Sequence, residues 1–366
     1  MIAKVQSLLE QLNGALNVDA DTYDYDFIAA LPITPHDATS NQGFIHQAIT
    51  DARNRDTVDA AVAEFGAQGW EVVYAHCVAR IAAKVTPLIS GRVLAQTSPS
   101  HADDEEYVYN HAKLYASAFN AAGITNERFC IKIPTTSAGV AAAKRLRAEG
   151  IATLGTALFS VPQALAAAQA GMHAISMYLN EPGAHSAAER WPDVADPAVE
   201  APMANRHMQI RAAYDARRAR GEHAPQMKTA SYLSAAEALA STDLGADHIT
   251  IGAPILTDLA SSATLPPYAR GMWKVPFADR GDRESWAAWA PGKPSDARMQ
   301  ALLGSDPVSG EGWAPADEQL DYTAAGVLDG FNERDEATRT RLEAALARFS
   351  DQETESRKFL QGLMAA

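Results

Sequence analysis

The chain has 366 residues, of which 47% are hydrophobic and 21% charged, a balance typical of a soluble globular protein with a large core. Its net charge of −14 argues against nucleic acid or an anionic membrane as a partner. Two cysteines, Cys77 and Cys130, are too few for a disulfide framework or a metal cluster, and neither a signal peptide nor a membrane-spanning apolar run is present, so we predict a cytoplasmic protein.

Strand-like and helix-like segments alternate after a short leading helix at residues 8–12. The predicted strands are 15–21, 33–41, 93–96, 129–134, 152–159, 173–179, 227–231 and 248–252. The clearest helical patterns between them are 44–52, 56–69, 72–89, 103–122, 137–149 and 161–170, with Ser137 as the expected N-cap of the fifth. Eight such strands, each followed by helical sequence, predict an α/β fold of the (β/α)8 TIM-barrel type.

Composition divides the chain into three predicted parts. Residues 1–260 are the barrel, 261–312 are an irregular Pro- and Trp-rich insertion after the eighth strand, and 313–366 are C-terminal helices packing on the barrel. Because the insertion leaves the catalytic end of the barrel, Trp273, Trp286 and Trp289 are expected to cover the site as a lid or acceptor wall. Packing against the C-terminal helices or a second subunit is the alternative.

The predicted strand 129–134 contains a single charged residue, Lys132. Strand side chains alternate between faces, so Lys132 shares a face with Cys130, and the apolar residues between and beside them share the other. In a strand covered by helices this face is desolvated, which lowers the pKa of an ammonium towards the range where a neutral amine attacks a carbonyl. An edge strand whose lysine reaches water is the alternative.

Polar residues recur at the ends of the predicted strands, which is where barrel enzymes place their active sites. They are Asp21, Asn41, Gln96, Lys132, Thr156, Ser176, Tyr178 and Ser231. An amine, a carboxylate and neutral hydrogen-bonding groups are what Schiff-base chemistry on a polyol ketone requires. Because the sequence lacks a Gly-rich phosphate loop, HxH or HExxH spacing and a G-x-S-x-G elbow, no cofactor and no metal are expected.

Several segments resemble the signatures of the transaldolase family, in the same order. They are 19–22 (DADT), 37–41 (DATSN), 130–134 (CIKIP), 156–160 (TALFS), 175–176 (IS) and 246–251 (ADHITI). The resemblance covers residues 1–260 and implies a (β/α)8 barrel with a class I aldolase mechanism. It assigns Lys132 as the Schiff-base lysine and Asp21 as the acid/base, with Asn41, Thr156 and Ser176 binding substrate or water.

Four positions depart from the usual transaldolase pattern. Gln96 replaces a glutamate that works with Thr156 on a catalytic water, and Tyr178 replaces a phenylalanine. Both replacements resemble the fructose-6-phosphate aldolases, which release or add free dihydroxyacetone. Where the family holds a terminal phosphate with basic residues, this chain has Glu181 and Leu233, so we expect a non-phosphorylated or otherwise atypical substrate.

Three hypotheses follow. The first is a Schiff-base enzyme that makes or breaks a C–C bond of a ketose with a dihydroxyacetone-type donor, using Lys132, Asp21, Gln96, Thr156 and Tyr178 as catalytic residues. The second is an ordinary pentose-phosphate transaldolase whose phosphate contacts have moved to Lys228, Arg206 or a basic residue of the insertion, and the third is a silent barrel retained for binding. The expected partners are small ketoses and aldehydes, and a homodimer is an open alternative.

Overall fold

A computed structural model describes residues 6–263, 297–308 and 316–365. Eight parallel strands form a closed barrel in the order β1 to β8, with β8 hydrogen-bonded to β1. The strands are β1 Asn17–Ala20, β2 Ala38–Thr39, β3 Val93–Gln96, β4 Phe129–Pro134, β5 Thr153–Leu158, β6 Ala174–Tyr178, β7 Gln226–Ala230 and β8 His248–Ile251. The predicted (β/α)8 TIM barrel is therefore confirmed.

Helices surround this barrel. In the described ranges the α-helices are α1 Leu8–Ala15, α2 Tyr25–Ala30, α3 Gln42–Thr50, α4 Arg55–Phe65, α5 Trp70–Val85, α6 Glu105–Ala121, α7 Ser137–Ala148, α8 Val161–Ala170, α9 Pro197–Glu200, α10 Ala204–Ala219, α11 Ala235–Leu244, α12 Ala253–Ser261, α13 Ala297–Ala301, α14 Val327–Arg334 and α15 Glu336–Met364. None of the helices in these ranges combines the length and apolar character of a membrane span.

Alternation along β4 places one face of the strand inside the barrel and the other against the helices. Cys130 packs inside with Leu94, Leu154 and Ala174 from β3, β5 and β6. Phe129, on the opposite face, stacks on Phe119 of α6 with ring centroids 5.0 Å apart. Both faces are buried, as expected for a parallel strand covered by helices. Lys132, two residues after Cys130, therefore belongs to the inner face.

The structure differs from the sequence-based prediction at the second strand and at the start of α7. The segment 33–41 was expected to be a strand, but only Ala38–Thr39 pairs, and the unpredicted α2 precedes it with Asp24 as its N-cap. At α7 the N-cap is Thr136 and not Ser137, because the Thr136 hydroxyl accepts a hydrogen bond from the Gly139 N–H at 3.0 Å. Because Thr136 and Ser137 both carry hydroxyl groups, the sequence alone does not show which of the two caps the helix.

The long helix α15 packs against α3 and the end of β5. Its Ala345 and Phe349 join Ala157 and Phe159 in a buried apolar cluster. The start of α15 is held by buried Arg206 of α10, which pairs with Asp335 at 2.8 Å and with Asp306 at 2.9 Å. Arg206 is thus committed to anchoring the C-terminal helices.

The insertion lies largely outside the described residues. This holds for residues 264–296 and 309–315, and so for Trp273, Trp286 and Trp289, whose predicted role as a lid stays a prediction. The basic residues of the insertion that were considered as phosphate ligands, Arg270, Lys274, Arg280 and Arg283, lie outside the described residues too.

Candidate active site

A cavity of about 620 Å3 opens at the carboxyl ends of the barrel strands. This is the end at which (β/α)8 barrels carry their functional residues. Among the residues that line it are the sequence-predicted Asp21, Asn41, Lys132, Ser176, Tyr178 and Ser231. The barrel therefore brings side chains from β4, β6 and the segments after β1, β2 and β7 into one space.

Lys132 lies on the wall of this cavity and is only 5% exposed. Burial lowers the pKa of its ammonium, and the nearby negative charge of Asp21 partly opposes that shift. A lowered pKa increases the fraction of neutral amine, which is the nucleophilic form. The alternative of an edge-strand lysine in water does not fit, since β4 pairs with both β3 and β5.

Asp21 follows β1, and its backbone N–H donates to the Ile251 carbonyl at 2.9 Å, which ties this turn to β8. Burial raises the pKa of its carboxyl to about 6, assisted by the negative charge of Asp19 and opposed by Lys132. Its Oδ1 has no hydrogen-bond partner among the described residues. A buried carboxyl with a pKa close to neutrality can give and accept a proton at physiological pH.

Gln96 and Thr156 lie next to Lys132 in the sheet but do not border the cavity. Gln96 is the register partner of Lys132, and Thr156 is that of Pro134, two residues further along β4. Both side chains are buried, and neither amide atom of Gln96 has a hydrogen-bond partner in the described part of the chain. Gln96 is therefore a buried amide with donor and acceptor atoms that other described residues do not use, on the strand beside Lys132.

Tyr178 ends β6, and its ring meets Phe159 edge-on, with centroids 5.4 Å apart. Burial raises the pKa of its hydroxyl to about 12, so the phenol stays protonated near neutral pH. The nearby Thr156 hydroxyl partly opposes this rise in the pKa of Tyr178. Within the described residues, however, Oγ1 of Thr156 has no well-aligned hydrogen-bond partner. Tyr178 is thus a neutral hydrogen-bond donor on the cavity wall.

The remaining predicted site residues are Asn41, Ser176 and Ser231, and each lies at a defined place in the local backbone. Asn41 caps α3, where its Oδ1 accepts hydrogen bonds from the N–H groups of Gly43 and Phe44, so its amide nitrogen is not used by the cap. Ser176 lies on the buried inner face of β6. Ser231 has φ +70°, a left-handed conformation that costs about 1–3 kcal/mol in a residue other than glycine and is concentrated at functional sites.

The two positions expected to lack phosphate contacts have internal partners. Glu181 forms an ion pair with Arg341 of α15 instead of lining the cavity. Leu233 lines the cavity, but its N–H donates to the buried carboxylate of Glu237 at 2.7 Å. The negative charge of Glu181 is therefore neutralised by Arg341, and the expectation of an atypical substrate rests on the absence of a basic residue at these two positions.

Helix α15 supplies a wall of the cavity that sequence reasoning missed. Its cavity-lining residues are Ala345, Arg348, Phe349 and Gln352. Gln352 lies against α3, where a Cβ at Gly43 would come within 2.6 Å of its Nε2. The helical period of residues 345, 349 and 352 was visible in the sequence, but nothing in it indicated which element this face would meet.

A second charged cluster lies inside the barrel, below the cavity. One ligand atom from each of Asp19, His36, Asp37 and His248 lies within 4.8 Å of the others, a set that could hold a metal ion. The Lys228 ammonium occupies this place, 2.9 Å from Asp19 Oδ2 and 2.7 Å from Asp37 Oδ2. The two carboxylates raise the pKa of Lys228 despite its burial, so the cluster already contains its own cation.

Known proteins resemble this chain. A transaldolase of Edwardsiella ictaluri (strain 93-146) is 29% identical over 314 residues, covering 83% of this chain and 91% of the relative. A transaldolase of Aliivibrio fischeri (strain MJ11) is 34% identical over 177 residues, covering 47% of this chain and 55% of the relative.

The likeness to a solved structure is weaker. An IMP dehydrogenase/GMP reductase-like protein from Corynebacterium glutamicum covers 92% of this chain and 84% of its own at 13% identity, but a TM-score of 0.41 carries no functional inference. The family model described as Transaldolase/Fructose-6-phosphate aldolase matches residues 18–275, more than half of the chain. With the barrel and the matched segments around Asp21 and Lys132, this shows that the chain belongs to the transaldolase/fructose-6-phosphate aldolase family.

Proposed function

We propose that the protein is a Schiff-base enzyme that makes or breaks a C–C bond of a ketose with a dihydroxyacetone-type donor. The observation that carries this proposal is the presence of Lys132 and Asp21 in one cavity, with the pKa of the amine lowered and that of the carboxyl raised. Environments that push two pKa values towards neutrality are typical of residues that act as nucleophile and proton carrier.

The proposed reaction begins when the neutral Lys132 amine attacks the ketone carbon and a C–N bond forms. The former carbonyl oxygen takes up protons and leaves as water, which gives an iminium ion. Asp21 then accepts the proton of the hydroxyl group on the carbon beyond the bond to be broken. That bond breaks, its electron pair moves to the iminium as an enamine, and an aldehyde departs.

The enamine has two fates, and these distinguish the two activities within the family. Protonation at carbon followed by attack of water releases free dihydroxyacetone and restores the amine. Attack of the enamine on a second aldehyde forms a new C–C bond and an iminium on Lys132, and hydrolysis of this iminium by water releases a new ketose and restores the amine, which is transfer. Gln96 is the register partner of Lys132, Thr156 lies on the neighbouring strand β5, and Tyr178 lines the same cavity, so these three are proposed to handle water. Asn41, Ser176 and Ser231 line the cavity and are available to bind substrate hydroxyls.

Borohydride reduction in the presence of dihydroxyacetone tests the Schiff base directly. Peptide mass spectrometry should find the reduced adduct on Lys132. The alternative of a catalytically silent barrel predicts no adduct at any residue, and this result would rule out the proposed chemistry.

Tyr178→Phe should shift the outcome of the reaction from release towards transfer. The phenol can donate a hydrogen bond to water or to the developing carbanion, whereas phenylalanine offers only its ring. We expect the ratio of free dihydroxyacetone to new ketose, measured by product analysis at equal substrate consumption, to fall by about tenfold, some 1.4 kcal/mol. An unchanged ratio would show that Tyr178 does not control protonation of the enamine.

The substrate is proposed to lack the terminal phosphate, because positions 181 and 233 supply no basic residue and the N–H of Leu233 is bonded to Glu237. The earlier alternatives are committed elsewhere, Lys228 to its carboxylates and Arg206 to Asp306 and Asp335. A missing charge-assisted contact is worth about 1.5–3 kcal/mol, or ten- to a hundredfold in affinity.

The comparison of kcat/KM for fructose and fructose-6-phosphate as donors tests this prediction. We expect no preference for the phosphate ester. A preference of more than about tenfold would support the alternative that the name of the transaldolase relatives suggests, transfer between phosphorylated sugars with phosphate contacts in a different place.

A further inference from the structure

The outer wall of the cavity carries an arginine whose charge is not matched by a carboxylate of the described residues. Arg348 of α15 is partly buried and lines the cavity, and its hydrogen bond within the described residues is to the Ser186 hydroxyl at 3.2 Å. It forms no ion pair with any carboxylate of residues 6–263, 297–308 or 316–365. Arg341, two turns earlier on the same helix, is by contrast paired with Glu181. An unpaired, partly buried guanidinium is a costly arrangement unless an anion binds to it.

The loop after β6 positions this arginine. Gly183 has φ +85°, a left-handed turn open to glycine, and it brings Ser186 against α15. A Cβ at Gly183 would lie 3.3 Å from Arg190 Nη1 and 3.9 Å from Arg348 Nη1, so both guanidiniums approach this loop. Arg190 donates to the Pro182 carbonyl and does not line the cavity, whereas Arg348 does. Burial, and next the positive charge of Arg348, lower the pKa of His185 on the same wall, which keeps the imidazole neutral near pH 7. The wall therefore offers one full positive charge.

That single charge suits one kind of anion better than another. Among the described cavity-lining residues the cations are Lys132, assigned to the chemistry, and Arg348. The N–H of Leu233 just before α11, which could otherwise bind a phosphate oxygen, already donates to Glu237. A phosphate dianion would keep about one uncompensated negative charge beside a single guanidinium, whereas a carboxylate matches its charge and its planar, two-pronged geometry.

We propose that Arg348 binds a carboxylate at the end of the acceptor aldehyde that is remote from the reacting carbon. The inference rests on the proposed Schiff-base function and names its acceptor class as aldehyde acids. Arg348 then acts as a specificity residue that contacts substrate without taking part in proton transfer. Its location on α15 separates it from the strands that carry Lys132, Ser176 and Tyr178.

The test uses dihydroxyacetone as donor and three acceptor aldehydes of equal chain length, ending in a hydroxymethyl group, a carboxylate or a phosphate ester. With the wild-type protein we expect kcat/KM for the carboxylate to exceed that for the neutral acceptor by about tenfold or more. Arg348→Gln should abolish that preference by lowering kcat/KM for the carboxylate acceptor, so that the ratio of kcat/KM for the carboxylate to that for the neutral acceptor approaches one. Arg348→Lys should keep part of the preference, because the charge remains but the two-pronged geometry is lost.

Lys358→Gln is the matched control, since Lys358 is exposed on the same helix and paired with Glu355, and its removal should leave all three rates unchanged. Borohydride trapping on Lys132 is measured in every variant. If the adduct forms and Arg348→Gln keeps the carboxylate preference, or if the wild type prefers the neutral or the phosphorylated acceptor, the inference is wrong while the Schiff-base function stands. If no adduct forms in the wild type, both are wrong.

Discussion

Replacement of Lys132 by methionine is expected to abolish turnover while the barrel remains folded. Methionine is of similar length and fills the space left by the amine, but it cannot form an iminium ion. It also removes an ionisable group from a site where burial disfavours the charged form, so the melting temperature should not fall. We expect loss of both ketose turnover and the borohydride adduct, measured by product analysis and mass spectrometry on the same preparation.

Lys144→Met is a suitable control for this experiment, because Lys144 is an exposed lysine of α7 that does not line the cavity. It should keep full activity and the adduct on Lys132. Residual turnover of Lys132→Met above the level of a heat-inactivated sample, with the adduct found on another lysine, would contradict the assignment of the nucleophile.

Asp21→Asn should slow C–C cleavage by about 10²–10⁴-fold, which is the usual contribution of a positioned acid or base. Asparagine keeps the shape of the side chain but cannot accept the hydroxyl proton. The Schiff base itself should still form, so dihydroxyacetone trapping on Lys132 is expected to persist. Asp26→Asn, which removes an exposed acid paired with Arg53, controls for the loss of a carboxylate. Full cleavage activity in Asp21→Asn would assign proton transfer to another group.

The same carboxyl predicts a pH dependence. Asp21 accepts a proton only when ionised, and its pKa is about 6, so kcat/KM for cleavage should fall about tenfold per pH unit below that value. Asp21→Asn should lack this limb of the profile.

The raised pKa of Asp21 also makes the folding stability depend on pH, in the opposite direction to the activity. Because burial raises the pKa from 3.8 to about 6 in the folded protein, the stability contributed by the neutral acid is lost as the pH rises through about 6. Asp21→Asn should therefore be at least as stable as the wild type at pH 7.

The barrel was predictable because its strands are short, continuous apolar runs separated by helices of regular period. The alternation in β4 was sufficient to place Lys132 on the inner face, and the polar residues at strand ends converge because parallel strands in a barrel finish at one edge. The expected strand 33–41 failed for a physical reason. Most of it serves as a connection from α2; Ala38 has register partners in both β1 and β3, and Thr39 has one in β3.

The outer part of the site could not be predicted, since it depends on contacts between distant residues. Arg348 reads in the sequence as one of several charged residues of a C-terminal helix, and only the packing of α15 over the cavity gives it a function. Likewise the sequence around Glu181 gives no sign of the arginine that pairs with it, Arg341, which is 160 positions later. Charge pairs at such separations leave no periodic trace in the sequence.

The place of α15 on the cavity wall also bears on how such an enzyme can diverge. The residues proposed for the chemistry lie between positions 21 and 178, on strands buried in the core, while Ala345, Arg348, Phe349 and Gln352 form one face of a single 29-residue helix. Ala345 and Phe349 pack against Ala157 of β5 and Phe159, but substitutions at Arg348 and Gln352 would alter the cavity wall outside that buried cluster. A lineage can therefore come to use a new acceptor aldehyde through changes in one terminal helix while it keeps the carbon–carbon bond chemistry. Mechanism and substrate specificity can then evolve separately.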